Sequence, residues 1–174
     1  MSKKHNRYIS AREIAMQLLF QLEQQGLCRP SLAEKPAGGI KNWSASEITA
    51  LFLRENAEDD MTSRLAKNWL DGTIEKIEQC DELLQSVLVH WSVQKVMPLE
   101  RAILRICTYQ MAFCDEIPMK VAINEGVEMA KKFGSANSSR FVNGILDAVY
   151  RKLSTAEAAP EEPPAPEQAP AEEK

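Results

Sequence analysis

Pro98-Leu99-Glu100-Arg101-Ala102-Ile103-Leu104-Arg105-Ile106-Cys107-Thr108-Tyr109-Gln110-Met111-Ala112-Phe113 is the stretch that decides the fold. Leu99, Ile103, Leu104, Ile106, Cys107, Met111 and Phe113 make a strongly apolar helix, and Pro98 suits its first turn because the missing amide hydrogen would have been unpaired there. The helix should end before Asp115-Glu116-Ile117-Pro118. Pro118 opens another, with Val121, Ile123, Val127 and Ala130 expected inward, Lys131 and Lys132 in the last turn and Gly134 just beyond. After Ser135-Ala136-Asn137 a last helix carries Phe141, Val142, Ile145, Leu146, Val149 and Leu153.

Working back toward the N-terminus, Val96-Met97-Pro98 breaks the chain, which places a subdomain junction near residue 95. Leu65, Trp69, Leu70, Ile74 and Ile77 form an apolar stripe over residues 62–79, continued after a bend by Leu83, Leu84, Val87, Leu88 and Trp91. Ser44-Ala45-Ser46-Glu47 is a capping box before a short helix with Ile48, Leu51 and Phe52, and the acidic run at 55–60 supplies caps for the next helix. Residues 27–43, with Pro30, Pro36, Gly38 and Gly39, read as a loop. A second capping box, Ser10-Ala11-Arg12-Glu13, predicts that the first helix begins at residue 10; Ile14, Ala15, Leu18, Leu19 and Leu22 line one face and Gly26 stops it. No segment reads as a strand. The expectation is all-α: a compact bundle of about six or seven helices over residues 10–155, in two small subdomains.

The chain has 174 residues, and the last nineteen, 156–174, are almost entirely Ala, Pro and Glu with five of the nine prolines. That tail is expected to be disordered, since it offers little to bury against its ordering entropy. Six Glu against one Lys give it five net negative charges, so the formal −4 of the whole leaves a body near +1. At the other end, residues 1–9 form a basic arm: Lys3, Lys4, Arg7 and the nearby Arg12 are cationic and no acid precedes Glu13. Such an arm on a near-neutral body suggests a polyanion. Cys28, Cys80, Cys107 and Cys114 show no metal-ligand spacing, and there is neither a secretory segment nor an apolar run of about 18 residues. A reduced, soluble, cytoplasmic protein with no membrane association is expected.

Catalysis has no visible apparatus. His5 and His90 lie in no nucleophile or metal motif, no glycine-rich phosphate loop is present, and Glu125 and Glu128 at i,i+3 spacing read as a solvated face. Cys107 and Cys114 read as small core residues, and Trp43, Trp69 and Trp91 as core packing. No catalytic residue, metal or cofactor is therefore expected. The arm fares better, because its cations combine with Asn6 and Tyr8, a mixture of phosphate and stacking contacts that suits single-stranded RNA.

Three linked segments add a resemblance. Residues 99–106, Leu-Glu-Arg-Ala-Ile-Leu-Arg-Ile; residues 117–125, Ile-Pro-Met-Lys-Val-Ala-Ile-Asn-Glu; and Lys131-Lys132-Phe133-Gly134 followed by residues 140–147, Arg-Phe-Val-Asn-Gly-Ile-Leu-Asp, resemble the NusB family of bacterial transcription antitermination factors. Residues 11–20 agree with that family's first helix, while the middle matches only loosely. The resemblance implies a non-catalytic protein that binds the boxA element of ribosomal RNA leader transcripts together with NusE, a small-subunit ribosomal protein, and joins an RNA polymerase complex resistant to termination. Carried onto this chain it implies Lys3, Lys4, Arg7 and Arg12 as phosphate contacts, Asn137, Arg140 and Phe141 near the RNA, and Phe20 and Glu100 at the partner face. Asn143 and Gly144 are expected to serve backbone geometry and close helix packing instead.

The sequence also departs from the family. The arm has fewer arginines than is common, and so fewer bidentate phosphate forks. Asn137 stands where an acidic residue is common, which removes a negative charge from the RNA face. Two other functions compete: a protein-only helical scaffold, and an accessory subunit in ribosomal RNA modification, since the chain is expected to end before a fused methyltransferase domain could begin. The apolar faces can pack internally or across a two-fold axis, so a homodimer stays among the expected partners.

Overall fold

A computed structural model of the chain describes the backbone of residues 3–28, 44–89 and 91–157, and the side chains from 5 to 155 within those ranges. The expected loop beyond Cys28, most of the acidic tail, Trp43, His90 and the side chains of Lys3 and Lys4 lie outside the described residues. Among the described residues seven α-helices occur in order: α1 Lys3–Gln24, α2 Ala45–Asn56, α3 Asp60–Glu75, α4 Ile77–Gln85, α5 Pro98–Phe113, α6 Met119–Phe133 and α7 Ser138–Glu157, with a 3-10 turn at Val93–Lys95. The described residues contain no strand, as the all-α expectation required.

The centre of the fold is α5, which packs against α1, α3, α4, α6 and α7. Its position follows from composition. Ala102, Ile103, Leu104, Ile106 and Cys107 are fully buried, so the helix is apolar around most of its circumference and has neighbours on every side. Complete burial of each large aliphatic side chain here contributes about 1.5–3 kcal/mol. The α4 helix lies mainly on α5, with lighter contact to α3 and α7.

Helix ends follow local chemistry at most positions. Ser44 accepts from the Glu47 amide and the Glu47 carboxylate accepts from the Ser44 amide, completing the capping box of α2. Asp59 caps α3 by accepting from the Thr62 amide at 2.8 Å. Pro98 occupies the first turn of α5 and Gly134 ends α6. Gly26, at φ +72°, ends α1 in the left-handed conformation that glycine accommodates best, while the Leu27 amide donates back to the Leu22 carbonyl.

Four expectations are corrected. The first helix begins at Lys3, seven residues before the capping box at Ser10. Arg7 Nε donates to Asp59 Oδ2 at 2.7 Å and the Tyr8 ring meets Trp69 edge-on at 5.7 Å, so tertiary contacts carry the helix through the cap signal and into the arm. The bend between α3 and α4 falls at Lys76, and residues 86–89 and 91 are not helical. Trp91 is 60 % exposed and Val121 is 41 % exposed, although both were expected in the core. At its C-terminal end α7 runs on to Glu157, two residues into the expected tail.

Candidate nucleic-acid interface

Of the four expected phosphate cations, two have described side chains, and the structure treats them differently. Arg7 is partly exposed and pairs with Asp59. Arg12 is 1 % exposed and is an internal strut. Its Nε donates to Gln110 Oε1 at 2.7 Å, its Nη1 lies 3.4 Å from Glu125 Oε2, and its guanidinium sits over the Trp69 ring at 5.2 Å. Burial lowers its pKa, a shift opposed by the nearby Glu125. A side chain so enclosed cannot reach a phosphate, which corrects the expectation from sequence. The same contact corrects Glu125, which belongs to this buried pair; Glu128 does lie on the solvated face and binds Lys131.

The second group gathers at the α6–α7 turn. Asn137 and Arg140 are exposed and Phe141 is half-buried against the core. The turn is built tightly. A Cβ on Gly134 would stand 2.6 Å from the Ala130 carbonyl oxygen, so the chain passes where only glycine fits. Ser138, 2 % exposed, accepts from the Ser135 amide at 2.8 Å and donates from Oγ to Glu100 Oε1 at 2.7 Å. Glu100 thus braces the turn that presents Asn137 and Arg140. Phe20 is half-buried against the core, on α1.

Sequence reading missed three features of this surface. Lys132 reaches across to Glu13 at 2.7 Å, tying the end of α6 to α1. Arg101 and Arg105, both in the quoted α5 segment, converge on Glu23, and Arg105 also forks onto Asp81 at 2.7 and 2.6 Å. Burial disfavours the Arg105 charge, but the bonds and charges of Asp81 and Glu23 outweigh it and raise the pKa. Helical spacing alone could not have paired them, because Glu23 lies 78 residues from Arg101. Third, a cavity of about 360 Å³ opens between α1 and α6, lined by Tyr8, Ile9, Arg12, Ile117, Pro118 and Val121. Asn143 and Gly144, expected to serve helix packing, are instead exposed, and a Cβ at 144 would meet nothing within 4 Å.

Seven helices, five of them packed around a central α5, with an exposed asparagine and arginine at a braced turn, define a class: a small all-helical module. The family model described as NusB family matches residues 9–151. The chain belongs to the NusB family. It is 32 % identical over 147 residues to the transcription antitermination protein NusB of Clostridium perfringens (strain SM101 / Type A), covering 83 % of this chain and 97 % of that protein. Among solved structures it is similar to T. maritima NusB, with TM-score 0.67, 29 % identity, and coverage of 84 % of this chain and 90 % of that one. It shares its fold with a crystal structure of antitermination factors NusB and NusE in complex with dsRNA, at TM-score 0.68 and 21 % identity, covering 84 % and 98 % of the two chains. No described helix is long and apolar enough to cross a membrane.

Proposed function

We propose that this chain is a non-catalytic, cytoplasmic RNA-binding antitermination factor that binds boxA of ribosomal RNA leader transcripts with NusE and joins the RNA polymerase complex. Membership of the NusB family supports the reading, as does the complex of relatives with NusE and RNA. The observation that carries it is the braced α6–α7 turn, where Ser138 and Glu100 hold the exposed Asn137 and Arg140 in place. Lys3, Lys4 and Arg7 of α1, with Arg140, then contact phosphates, and Phe141 and Asn137 meet the bases. Phe20 faces the protein partner, and Glu100 acts through Ser138.

The test is a titration of boxA RNA with this chain, alone and with NusE, across a salt series. About three or four neutralised phosphates give a slope of log K against log salt of about −2 to −3 on a single strand. Replacing Lys3, Lys4 and Arg7 by Ala should weaken binding and flatten that slope. Equal affinity at all salt concentrations, or NusE binding with no RNA contribution from this chain, would leave the protein-only scaffold as the better reading.

A further inference from the structure

Five glycines lie among the described residues, and four have a reason within the chain. Gly26 adopts a positive φ, Gly72 lies against Tyr109, Gly126 against Cys107 and Leu146, and Gly134 against Ser138 and a carbonyl oxygen. Gly144 has none of these. It sits inside α7, exposed, without a positive φ, and with open space where a Cβ would stand. Glycine is less favourable than alanine in an exposed helix interior, so the position carries a cost that the chain's own packing does not require.

The face around Gly144 has a definite charge. At 100° per residue, Arg140, Gly144, Asp147 and Arg151 fall within a sector of about 60°, spread over roughly 16 Å of helix. Arg140 and Arg151 are exposed, and neither makes an ion pair with a described residue. The carboxylate between them accepts from Asn143 Nδ2 at 3.0 Å. Two cations therefore flank a stretch of helix that is open at Gly144 and carries the Asn143-bound carboxylate of Asp147 nearer Arg151.

We infer that this face of α7 carries a strand of RNA along its sugar–phosphate backbone, with Gly144 as the point of closest approach. The inference rests on the RNA-binding reading above and extends that interface three turns beyond Arg140. Arg140 and Arg151 each reach a phosphate. At Gly144 alone the strand lies directly on the helix backbone, where any side chain would hold it off, and it passes beside the Asn143-bound Asp147 on its way to Arg151.

The full chain carrying Gly144→Ala, Gly144→Gln or Arg151→Gln would be compared with the parent in thermal melts and in boxA RNA titrations across salt, with and without NusE. Gly144→Ala should raise the melting temperature by up to about 2–4 °C and yet weaken RNA binding roughly tenfold, since a more favourable helix residue occupies the strand's place. Gly144→Gln should weaken it further. Arg151→Gln should reduce the salt slope by about 0.7, whereas both Gly144 variants keep the parent slope. Affinities equal to the parent in both Gly144 variants would overturn the inference. So would loss of NusE binding with RNA binding by the chain alone intact, which would mark a protein contact. A parent chain that binds no boxA RNA would remove the functional reading and this inference together, whereas parental binding with unaffected variants removes only this one.

Discussion

Replacing Arg12 by Ala separates the internal strut from a phosphate contact. The substitution removes a charged hydrogen bond to Gln110, of the kind that contributes about 1.5–3 kcal/mol, and a desolvated cation–π contact with Trp69 of roughly 2 kcal/mol. It also strands the Gln110 carbonyl in the core and leaves Glu125, whose side chain is only 16 % exposed, without its counter-charge. These effects overlap, so the expected loss is that of one partner taken from a buried pair, about 3–5 kcal/mol. Against a typical domain stability of about 5–15 kcal/mol this is large. At roughly 2–4 °C per kcal/mol for a chain of this size, the melting temperature should fall by about 6–20 °C. A double variant, Arg12→Met with Gln110→Leu, should recover part of the loss because the Gln110 carbonyl is no longer stranded, while Glu125 still lacks its counter-charge. The assay is a thermal melt beside a salt series of RNA binding on whatever remains folded. A variant that melts within about 2 °C of the parent while its salt slope drops by about 0.7 would show that Arg12 touches phosphate, and would refute the strut.

Other consequences can be checked with the same protein. Gly126→Ala would place a Cβ 2.8 Å from Cys107 Sγ and from Leu146 Cδ1, so overpacking between α5, α6 and α7 should cost about 1–3 kcal/mol in a urea melt. The Thr62 amide, and then its hydroxyl and Arg7, hold the Asp59 carboxyl below the usual Asp range. A lowered folded pKa means this carboxylate stabilises the fold above its unfolded pKa and stops doing so as pH falls through the folded value. Asp59→Asn should therefore lower the melting temperature at pH 7, with the gap from the parent closing only in acid below the usual Asp range, as the parent's carboxylate takes up its proton. Burial pushes the Cys28, Cys80 and Cys107 thiols up to about 12, and Cys114 is raised as well. All four should resist a thiol reagent at pH 8 until denaturant is added, and fast labelling of the native protein would contradict the burial.

The fold was legible where apolar spacing and punctuation agreed. Pro98, Pro118 and Gly134 marked the ends of α5 and α6 because each acts on its own backbone and needs no distant partner. Ser10 misled for the opposite reason. Its cap signal is local, whereas the helix it should have started is extended by Asp59 and Trp69, more than fifty residues away. Arg12 failed in the same way: an arginine next to a basic arm reads as surface until Gln110, Trp69 and Glu125 close around it. Asn137 and Arg140 were singled out through family motifs and are exposed, but the Ser138–Glu100 brace beneath them joins residues 38 apart and left no sequence pattern. For Gly144 the residue was plain in the sequence, and only its surroundings could show that it is not a packing glycine.

The long reach of α1 bears on when the protein can act. Arg12 is bonded to a residue 98 positions later and Glu13 to one 119 positions later, so α1 can dock on α3 early but completes its bonds only when α5 and α6 have been made. At synthesis rates of about 5–20 residues per second, roughly 5–20 s pass before Gln110 is made and about 6–24 s before Lys132 is. Until then the apolar face of Leu18, Leu19 and Leu22, fully or almost fully covered in the finished protein, has nothing from α5 to cover it. A chain interrupted before α6 would retain the arm's positive charge but lack Glu125 and Lys132, the partners of Arg12 and Glu13.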